Sequence, residues 1–322
     1  MSIYVYILKR IMQAIPLLIL ISIISFLIIR LSPVDPLAEL KLNPAISQQT
    51  LKAEKERLGL DKPMLVQYFK WADSALKGDL GVSTSGEKVS DKLIQRIPNT
   101  LLLTTITIVV TWLIAIPLGI IASLKWKSAF DRITTILSAI GMAIPTFFFS
   151  LLMLIFAVKT GWFPVGGLTS IGFEKFSLIG KILDIGHHLF LPVLVLSTAS
   201  VAGLQRQMRG NLLDILESDY IKMARAKGLP ENIVIYKHAV RNAINPLVTL
   251  LGFEFSSLLS GAALTEYVFQ YPGLGRLILE AVIKLDINLV MASLMMGAIM
   301  LVIGNLIADI LLKIVDPRIT LG

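Results

Sequence analysis

Six apolar stretches constrain this chain more than any other feature of its sequence. They cover residues 11–31, 100–124, 133–158, 189–204, 246–268 and 289–312. About 20 residues at 1.5 Å each cross the ~30 Å hydrocarbon core as a helix, which satisfies its own backbone hydrogen bonds. The sequence therefore predicts an all-α polytopic membrane protein with six transmembrane helices, of which the fourth is the shortest.

The composition agrees with this prediction. Only 16% of the 322 residues are charged and the mean hydropathy is +0.77, whereas a soluble domain carries about 25% charged residues. There are no cysteines, which excludes disulfides, thiolate metal sites and cysteine nucleophiles.

The net charge of +8 reflects topology and gives no indication of nucleic-acid binding. Short loops on one side of the predicted bundle hold fourteen Lys and Arg residues, and those on the other side hold five. Cytoplasmic loops are enriched in Lys and Arg. We therefore expect both termini and the segment 205–245 to be cytoplasmic.

The chain divides into three predicted parts. Residues 1–31 form an N-terminal segment with the first transmembrane helix, 32–97 an extracytoplasmic helical region, and 98–322 a five-helix core with the cytoplasmic loop 205–245. In the middle part, 47–58 and 63–77 have the apolar spacing of short amphipathic helices. That part is either a cap on the bundle or a docking surface for an external partner.

Residues 219–246 form a basic polar segment between two apolar stretches. Ser218 and Asp219 offer acceptors for the start of a short helix, Gly228 suits its end, and Pro230 prevents its continuation. A helix of about three turns is marginal alone in water. It therefore needs a surface to lie on.

The sequence offers no convincing enzymatic motif. Residues 81–89 resemble a phosphate-binding loop, but Glu87 separates the second glycine from Lys88, and Val89 follows where Ser or Thr is needed. The adjacent His187 and His188 lack the i, i+4 spacing of a zinc-binding helix. We predict no catalytic residue, no bound cofactor and no metal site in this chain.

Glu254 is the clearest ionisable residue inside a predicted span, where such residues face a bundle interior or a cavity. Ser257, Gly261 and Thr265 follow it on the same helical face. These four residues either line a solute pathway or lie at a contact between helices. Asp309, near the end of the last span, is expected to be structural.

The basic segment resembles the EAA loop of permease subunits from bacterial ABC importers, in particular the peptide and nickel branch. The motif here is KMARAKG at 222–228, with Ala224 and Gly228 at its small-residue positions and Lys222 in place of its glutamate. The ending HAVRNAINP at 238–246 is similar to that of the peptide branch. Blocks such as LGLDKPMLVQYFKW, GWFPVGG and EYVFQYPGLGRL extend the resemblance over most of the chain.

The resemblance implies a type I ABC importer permease in the bacterial plasma membrane. It implies three kinds of partner besides the lipid bilayer: a second homologous permease, two cytoplasmic ATPase subunits that bind ATP and Mg²⁺, and an extracytoplasmic solute-binding protein. Segment 219–228 becomes the coupling helix that docks on an ATPase. The coupling residues are Asp219, Tyr220, Lys222, Ala224, Arg225, Ala226, Lys227 and Gly228. Tyr271, Pro272 and Gly273 become part of an external loop that faces the binding protein.

The cargo stays open between two classes. The resemblance favours import of oligopeptides or dipeptides, with nickel or a metal chelate as the alternative. A stand-alone channel or an intramembrane enzyme fits less well, because neither explains a capped cytoplasmic helix without a partner in the chain.

Overall fold

The computed structural model describes residues 3–31, 47–50, 52 and 61–315, and within the helices some side chains, including those of Ser257 and Gly261, lie outside the description. The described residues form helices and loops, with an isolated β-bridge between Val82 and Lys88. The helices are α1 (Ile3–Leu31), α2 (Met64–Leu76), α3 (Val89–Leu124), α4 (Ala129–Ala143), α5 (Thr146–Thr160), α6 (Leu178–Leu216), α7 (Asp219–Ala226), a π-helix (Ile233–Val240), α8 (Arg241–Val268), α9 (Leu274–Ile283) and α10 (Ile287–Val315).

Four of the described helices, α1, α3, α6 and α10, are long and apolar enough to cross a bilayer, and the bent pair α4–α5 makes a fifth if it is one span. The stretch predicted at 246–268 lies in α8, which has 28 residues but is not in this set. Only described residues enter this assignment. The all-α multi-pass architecture is confirmed, while the side on which the termini lie stays a prediction.

The third predicted span, 133–158, is wrong as a single helix. It consists of α4 and α5, which are bent by 97°. The break falls at Ile144 and Pro145, where the proline excludes the preceding residue from the helical region and Ile144 has ψ 119°. Pro145 thus precedes the first turn of α5, whereas we expected it inside a span.

The fourth predicted span, 189–204, is also wrong in extent. α6 has 39 residues, or about 58 Å at 1.5 Å per residue, and it begins eleven residues before the predicted span. Hydropathy detects only its apolar centre, since polar side chains such as Asp184 and Arg209 lie in the parts of the helix on either side of that centre. α6 packs along α3 and also contacts α4, α5 and α8.

The helices α3 and α6 approach each other closely. A Cβ atom on Gly119 would lie 2.6 Å from the Met208 side chain and 2.9 Å from the Gln205 carbonyl oxygen. Met208 is fully buried. A larger residue at 119 would therefore force the two long helices apart.

The first helix is joined to the last helix by an ion pair. Arg10 of α1 lies 2.9 Å from the Asp309 carboxylate of α10, and the two helices pack together. The structural role expected for Asp309 is confirmed. The amphipathic helix expected at 63–77 is present as α2, whereas the one expected at 47–58 lies largely outside the described residues. The division of the chain into three parts stays a prediction.

Candidate functional site

The short helix α7 begins after Ser218, as the sequence predicts, but not for the expected reason. Ser218 accepts no hydrogen bond from the first turn; its hydroxyl donates to the Ile215 carbonyl oxygen at 2.5 Å. The helix ends at Ala226, and Gly228 just after it has φ +75° and donates its N–H to the Arg225 carbonyl oxygen at 2.9 Å. The left-handed terminus is therefore confirmed.

One face of α7 is fixed to the rest of the chain. Ile221 is fully buried in a cluster that includes Leu212 of α6, Val234 of the π-helix and Leu247 of α8. Burial of an isoleucine contributes about 1.5–3 kcal/mol. Ala224 is half-buried against the same cluster. Part of the surface that this helix needs is therefore supplied by its own chain, and Ala224 lies on that inner face.

The opposite face of α7 exposes apolar side chains. Tyr220 is 44% exposed and Met223 is 58% exposed. Leu229, Ile233 and Tyr236 on the following segment are exposed as well, at 38, 40 and 58%. We call these five residues the α7 patch. Exposed apolar groups that cluster in this way mark interaction sites.

The basic residues of α7 differ in their partners. Lys222 lies 3.1 Å from Asp219 within the same helix, and Arg225 lies 2.7 Å from Glu231 beyond the Gly228 turn. Hydrogen bonds from Arg225 lower the pKa of the Glu231 carboxyl. Lys227 has no ion-pair partner among the described residues, and it is exposed. The patch therefore carries positive charge at its edge.

The turn leads through the π-helix into α8. The Pro230 carbonyl oxygen accepts from the N–H groups of Ile233 and Val234 at 2.9 and 3.1 Å. The π-helix then runs directly into α8, so that Pro246 lies inside a continuous helix. Long π-helices are rare and often occur at functional sites. α7 is therefore joined to α8 by the Gly228 turn and the π-helix.

Hydrogen bonds join α4 and α6 to the end of α3. The Asp131 carboxylate of α4 accepts from Arg209 Nε at 2.5 Å and Nη2 at 2.9 Å, and from the Lys127 N–H at 3.0 Å. Ser123 donates to the Arg209 carbonyl oxygen at 3.0 Å. The Asp131 side chain is only 5% exposed. The loop after α3 and the extension of α6 therefore form one rigid unit.

Glu254 lies where α8 meets α3. Its Oε2 accepts a hydrogen bond from the indole Nε1 of Trp112 at 2.8 Å, and its side chain is half-buried. Thr265, eleven residues later, is fully buried, with its hydroxyl 3.1 Å from that of Ser150 on α5. The side chains of Ser257 and Gly261 lie outside the described residues. The pathway role of the four residues stays a prediction.

The loop after α8 is packed against α3. Tyr271 is fully buried, and its hydroxyl donates to the Asn99 carbonyl oxygen at 2.7 Å. The Pro272 carbonyl oxygen accepts from Asn99 at 2.8 Å, and Gly273 is buried. Within the predicted loop, the half-buried Pro272 is therefore the residue with the most accessible surface.

Below this loop lies a buried carboxylate that we did not select from the sequence. Glu266 is fully buried and accepts from the Thr100 hydroxyl and from the Arg276 N–H, both at 2.9 Å. Thr100 in turn accepts from the Leu274 N–H at 2.7 Å. Glu266 therefore fixes the start of α9 to α3 and α8.

The rejected phosphate-loop motif has a structural role. The Ser83 hydroxyl donates a hydrogen bond to the buried Asp286 carboxylate just before α10, and the Thr84 N–H donates to the same carboxylate at 2.9 Å.

The two adjacent histidines contact backbone carbonyl groups. His187 lies 2.8 Å from the Trp162 carbonyl oxygen, and His188 lies 2.9 Å from that of Asp184. Within the described part of the chain, no three His, Asp or Glu side chains are grouped so as to hold a metal ion.

Comparison with known proteins decides the family. The model of the binding-protein-dependent transport system inner membrane component matches residues 115–321, and the model of its N-terminal part matches residues 3–105. This chain belongs to that family. It is therefore a permease of an ABC transport system with further subunits, and a multi-pass protein of the bacterial inner membrane. The resemblance drawn from the sequence is confirmed.

Three curated relatives match along nearly their whole length. The chain is 42% identical over 317 residues to the oligopeptide transport system permease protein AppB of Bacillus subtilis, with 98% of each chain covered. It is 34% identical over 319 residues to the probable peptide ABC transporter permease protein y4tP of Sinorhizobium fredii, covering 98% of this chain and 99% of that one. It is 33% identical over 317 residues to the glutathione transport system permease protein GsiC of Escherichia coli K12, with 98% of each covered.

Several residues of the site were not selected from the sequence. Tyr236 carries no motif, and Met223 lies in the 222–228 motif but was not selected from it; only the fold shows that both are exposed. Trp112 is one apolar residue among many in its span. For Asp131 a signal exists, because it is the one carboxylate among the basic residues of 125–132 and follows Ser128 at the spacing of a helix cap.

Proposed function

We propose that this chain forms half of the translocation pathway of an ATP-driven peptide importer, and that α7 couples the pathway to a cytoplasmic ATPase subunit. A second homologous permease completes the pathway, a solute-binding protein delivers the cargo, and the ATPase subunits bind ATP and Mg²⁺. This chain itself catalyses no reaction. In this proposal the basic end of the bundle faces the cytoplasm.

The observation that carries the proposal is the way in which α7 packs against the chain and continues into α8. Its inner face is fixed by the buried Ile221, its outer face presents Tyr220 and Met223, and its exit continues into α8. An exposed apolar patch on a helix that is packed against the chain suits contact with an ATPase subunit, whose movement it would transmit. Because α8 also carries Glu254, a movement of α7 would reach the proposed pathway through one helix.

The proposed cargo is a peptide. Curated relatives at 33–42% identity are named for oligopeptide, peptide and glutathione transport, and these cargoes share a peptide chain with charged ends. We propose that Glu254 contributes to the pathway wall, with Trp112 holding Oε2. The other carboxylate oxygen could then accept from a cationic group such as a peptide amino terminus.

The experiment uses the complete transporter in proteoliposomes. We expect the peptide-loaded binding protein to stimulate ATP hydrolysis, and labelled peptide to accumulate inside. Met223→Asp should reduce this stimulation at least about tenfold, because a buried methionine is worth about 1.5–3 kcal/mol. Trp126→Asp, at an equally exposed position of the other loop at the same end, is the matched control. Stimulation that survives Met223→Asp would contradict the coupling role; uptake of nickel without uptake of peptide would contradict the cargo.

A further inference from the structure

The helix α2 exposes an apolar face that nothing in the described chain covers. Leu65, Phe69 and Leu76 lie about one and two helical turns apart and therefore share one side of the helix. They are 72, 67 and 89% exposed. Large apolar side chains with this exposure are costly in water.

A polar side borders the apolar side of α2. Lys70, Asp73 and Lys77 are exposed, and Lys77 pairs with Asp73 at 2.6 Å one turn away. A helix with a basic polar side and an apolar side that includes aromatic residues is typical of helices that lie in the plane of a membrane surface.

The position of α2 follows from its contact with α1. The Tyr68 hydroxyl lies 2.8 Å from that of Ser22, and the Tyr68 ring meets the Phe26 ring edge-on at 5.5 Å between centroids. Ser22 belongs to the apolar window Val5–Ile28, six residues before its end, which is about 9 Å along the axis. The side chains of α2 therefore reach α1 at membrane depth.

The neighbouring helix α1 also exposes apolar side chains. Ile24, Ile28 and Leu31 of α1 are 45, 65 and 72% exposed, as expected for side chains that contact lipid. Tyr68 and Trp71 lie on α2 beside this surface, and these residue types are enriched at membrane interfaces.

We propose that α2 lies along the membrane surface at the Leu31 end of α1 and inserts Leu65, Phe69 and Leu76 among the lipid acyl chains. The charge distribution predicts this leaflet to be the outer one. The occupant of the face is lipid rather than a binding protein, because α2 meets α1 beside the hydrocarbon core and its charged residues border the apolar strip, as in helices at a membrane surface. This proposal does not depend on how α7 couples.

The absence of cysteine from this chain makes the test direct. Single variants Phe69→Cys, Leu65→Cys and Lys70→Cys are assembled with cysteine-free partner subunits and reconstituted into nanodiscs of phosphatidylethanolamine and phosphatidylglycerol. Each carries a nitroxide spin label, and relaxation is measured with oxygen, which enters lipid, and with a charged nickel chelate, which stays in water. Ile28→Cys on α1 is the lipid reference, and Lys70→Cys on the polar side of α2 is the water reference.

We expect the ratio of oxygen to chelate accessibility at positions 65 and 69 to match position 28 and to exceed position 70 by about tenfold, since charged reagents are excluded from hydrocarbon. Chelate accessibility at 65 and 69 equal to that at 70 would overturn the proposal and leave a free aqueous surface. Shielding of 65 and 69 from both reagents would also overturn it, because a protein would then cover the face.

Discussion

Arg225 and Glu231 join the two sides of the Gly228 turn. Nη2 of the guanidinium donates to Oε1 of the carboxylate at 2.7 Å, and Nε donates to both oxygens at 3.2 Å. The first residue belongs to α7 and the second precedes the π-helix. The pair therefore bridges α7 and the start of the segment that leads through the π-helix into α8.

Glu231→Gln should loosen this turn without unfolding the chain. Both side chains are partly exposed, at 40 and 54%, so solvent screening limits the contribution of the pair to about 0.2–1 kcal/mol. Amide hydrogen exchange in 219–228 should become faster in the variant at neutral pH. Glu217→Gln, at an exposed carboxylate near the end of α6, should leave exchange unchanged. Unchanged exchange in Glu231→Gln would show that the turn does not depend on the pair.

The same pair predicts a pH dependence. Arg225 lowers the pKa of Glu231, so the pair stabilises the turn at neutral pH, and its contribution is lost as the pH falls through that lowered pKa. Exchange rates of the wild type and of Glu231→Gln, compared at each pH, should differ at pH 7 and converge only in acid. A difference that persists at low pH would contradict this origin.

Gly228→Leu should abolish coupling while leaving membrane insertion intact. The φ of +75° costs a side chain about 1–2 kcal/mol in strain, although the space around a Cβ there is open. Gly210→Leu is the matched control, because a Cβ at Gly210 also meets nothing within 4 Å but the residue lies in the regular helix α6. Binding-protein-stimulated ATP hydrolysis is the measurement. Equal activity of the two variants would contradict the requirement for the turn.

Asp131→Asn should destabilise the chain far more than Asp73→Asn. The first carboxylate is 5% exposed and pairs with Arg209, whereas the second is 64% exposed and pairs with Lys77. Loss of one partner from a buried pair costs about 3–5 kcal/mol, whereas an exposed pair contributes about 0.2–1 kcal/mol. Thermal unfolding of the purified complex in detergent measures both. Similar midpoints for the two variants would argue that Arg209 finds another partner.

Glu254→Gln should affect transport more than assembly. Glutamine keeps an acceptor for Trp112 but removes the negative charge, so the co-purification of the partner subunits should remain normal. Uptake of peptides with a free amino terminus should fall more than that of their N-acetylated forms. Normal uptake combined with poor assembly would assign Glu254 a structural role between α3 and α8.

Much of the fold could be predicted from the sequence, because hydropathy reports which residues leave water. It located α1, α3 and α10 and the outline of α6. It missed the bend at Pro145, since a broken span has the same composition as a continuous one. It also missed the length of α6, since polar residues continue a helix beyond the bilayer without an apolar signal.

The candidate site was less predictable. Gly228 and Pro230 have local conformational roles, so the sequence identified the turn. Ile221 points to the core and Met223 to solvent because of how α7 packs on α6 and α8. The local sequence does not determine this packing. Likewise, the sequence placed Tyr271 in an external loop, while its burial depends on Asn99, which is distant in the chain.

The most direct test of the coupling role is chemical cross-linking from Met223. The chain has no cysteine, so Met223→Cys provides a single reactive site on the α7 patch, and Trp126→Cys provides one at a comparable exposure in the other loop at the same end. The complete transporter is treated with a short thiol-to-amine cross-linker in the presence and absence of ATP. We predict that Met223→Cys forms a product with an ATPase subunit and that Trp126→Cys does not. Absence of this product from an assembled, active transporter would contradict docking through α7.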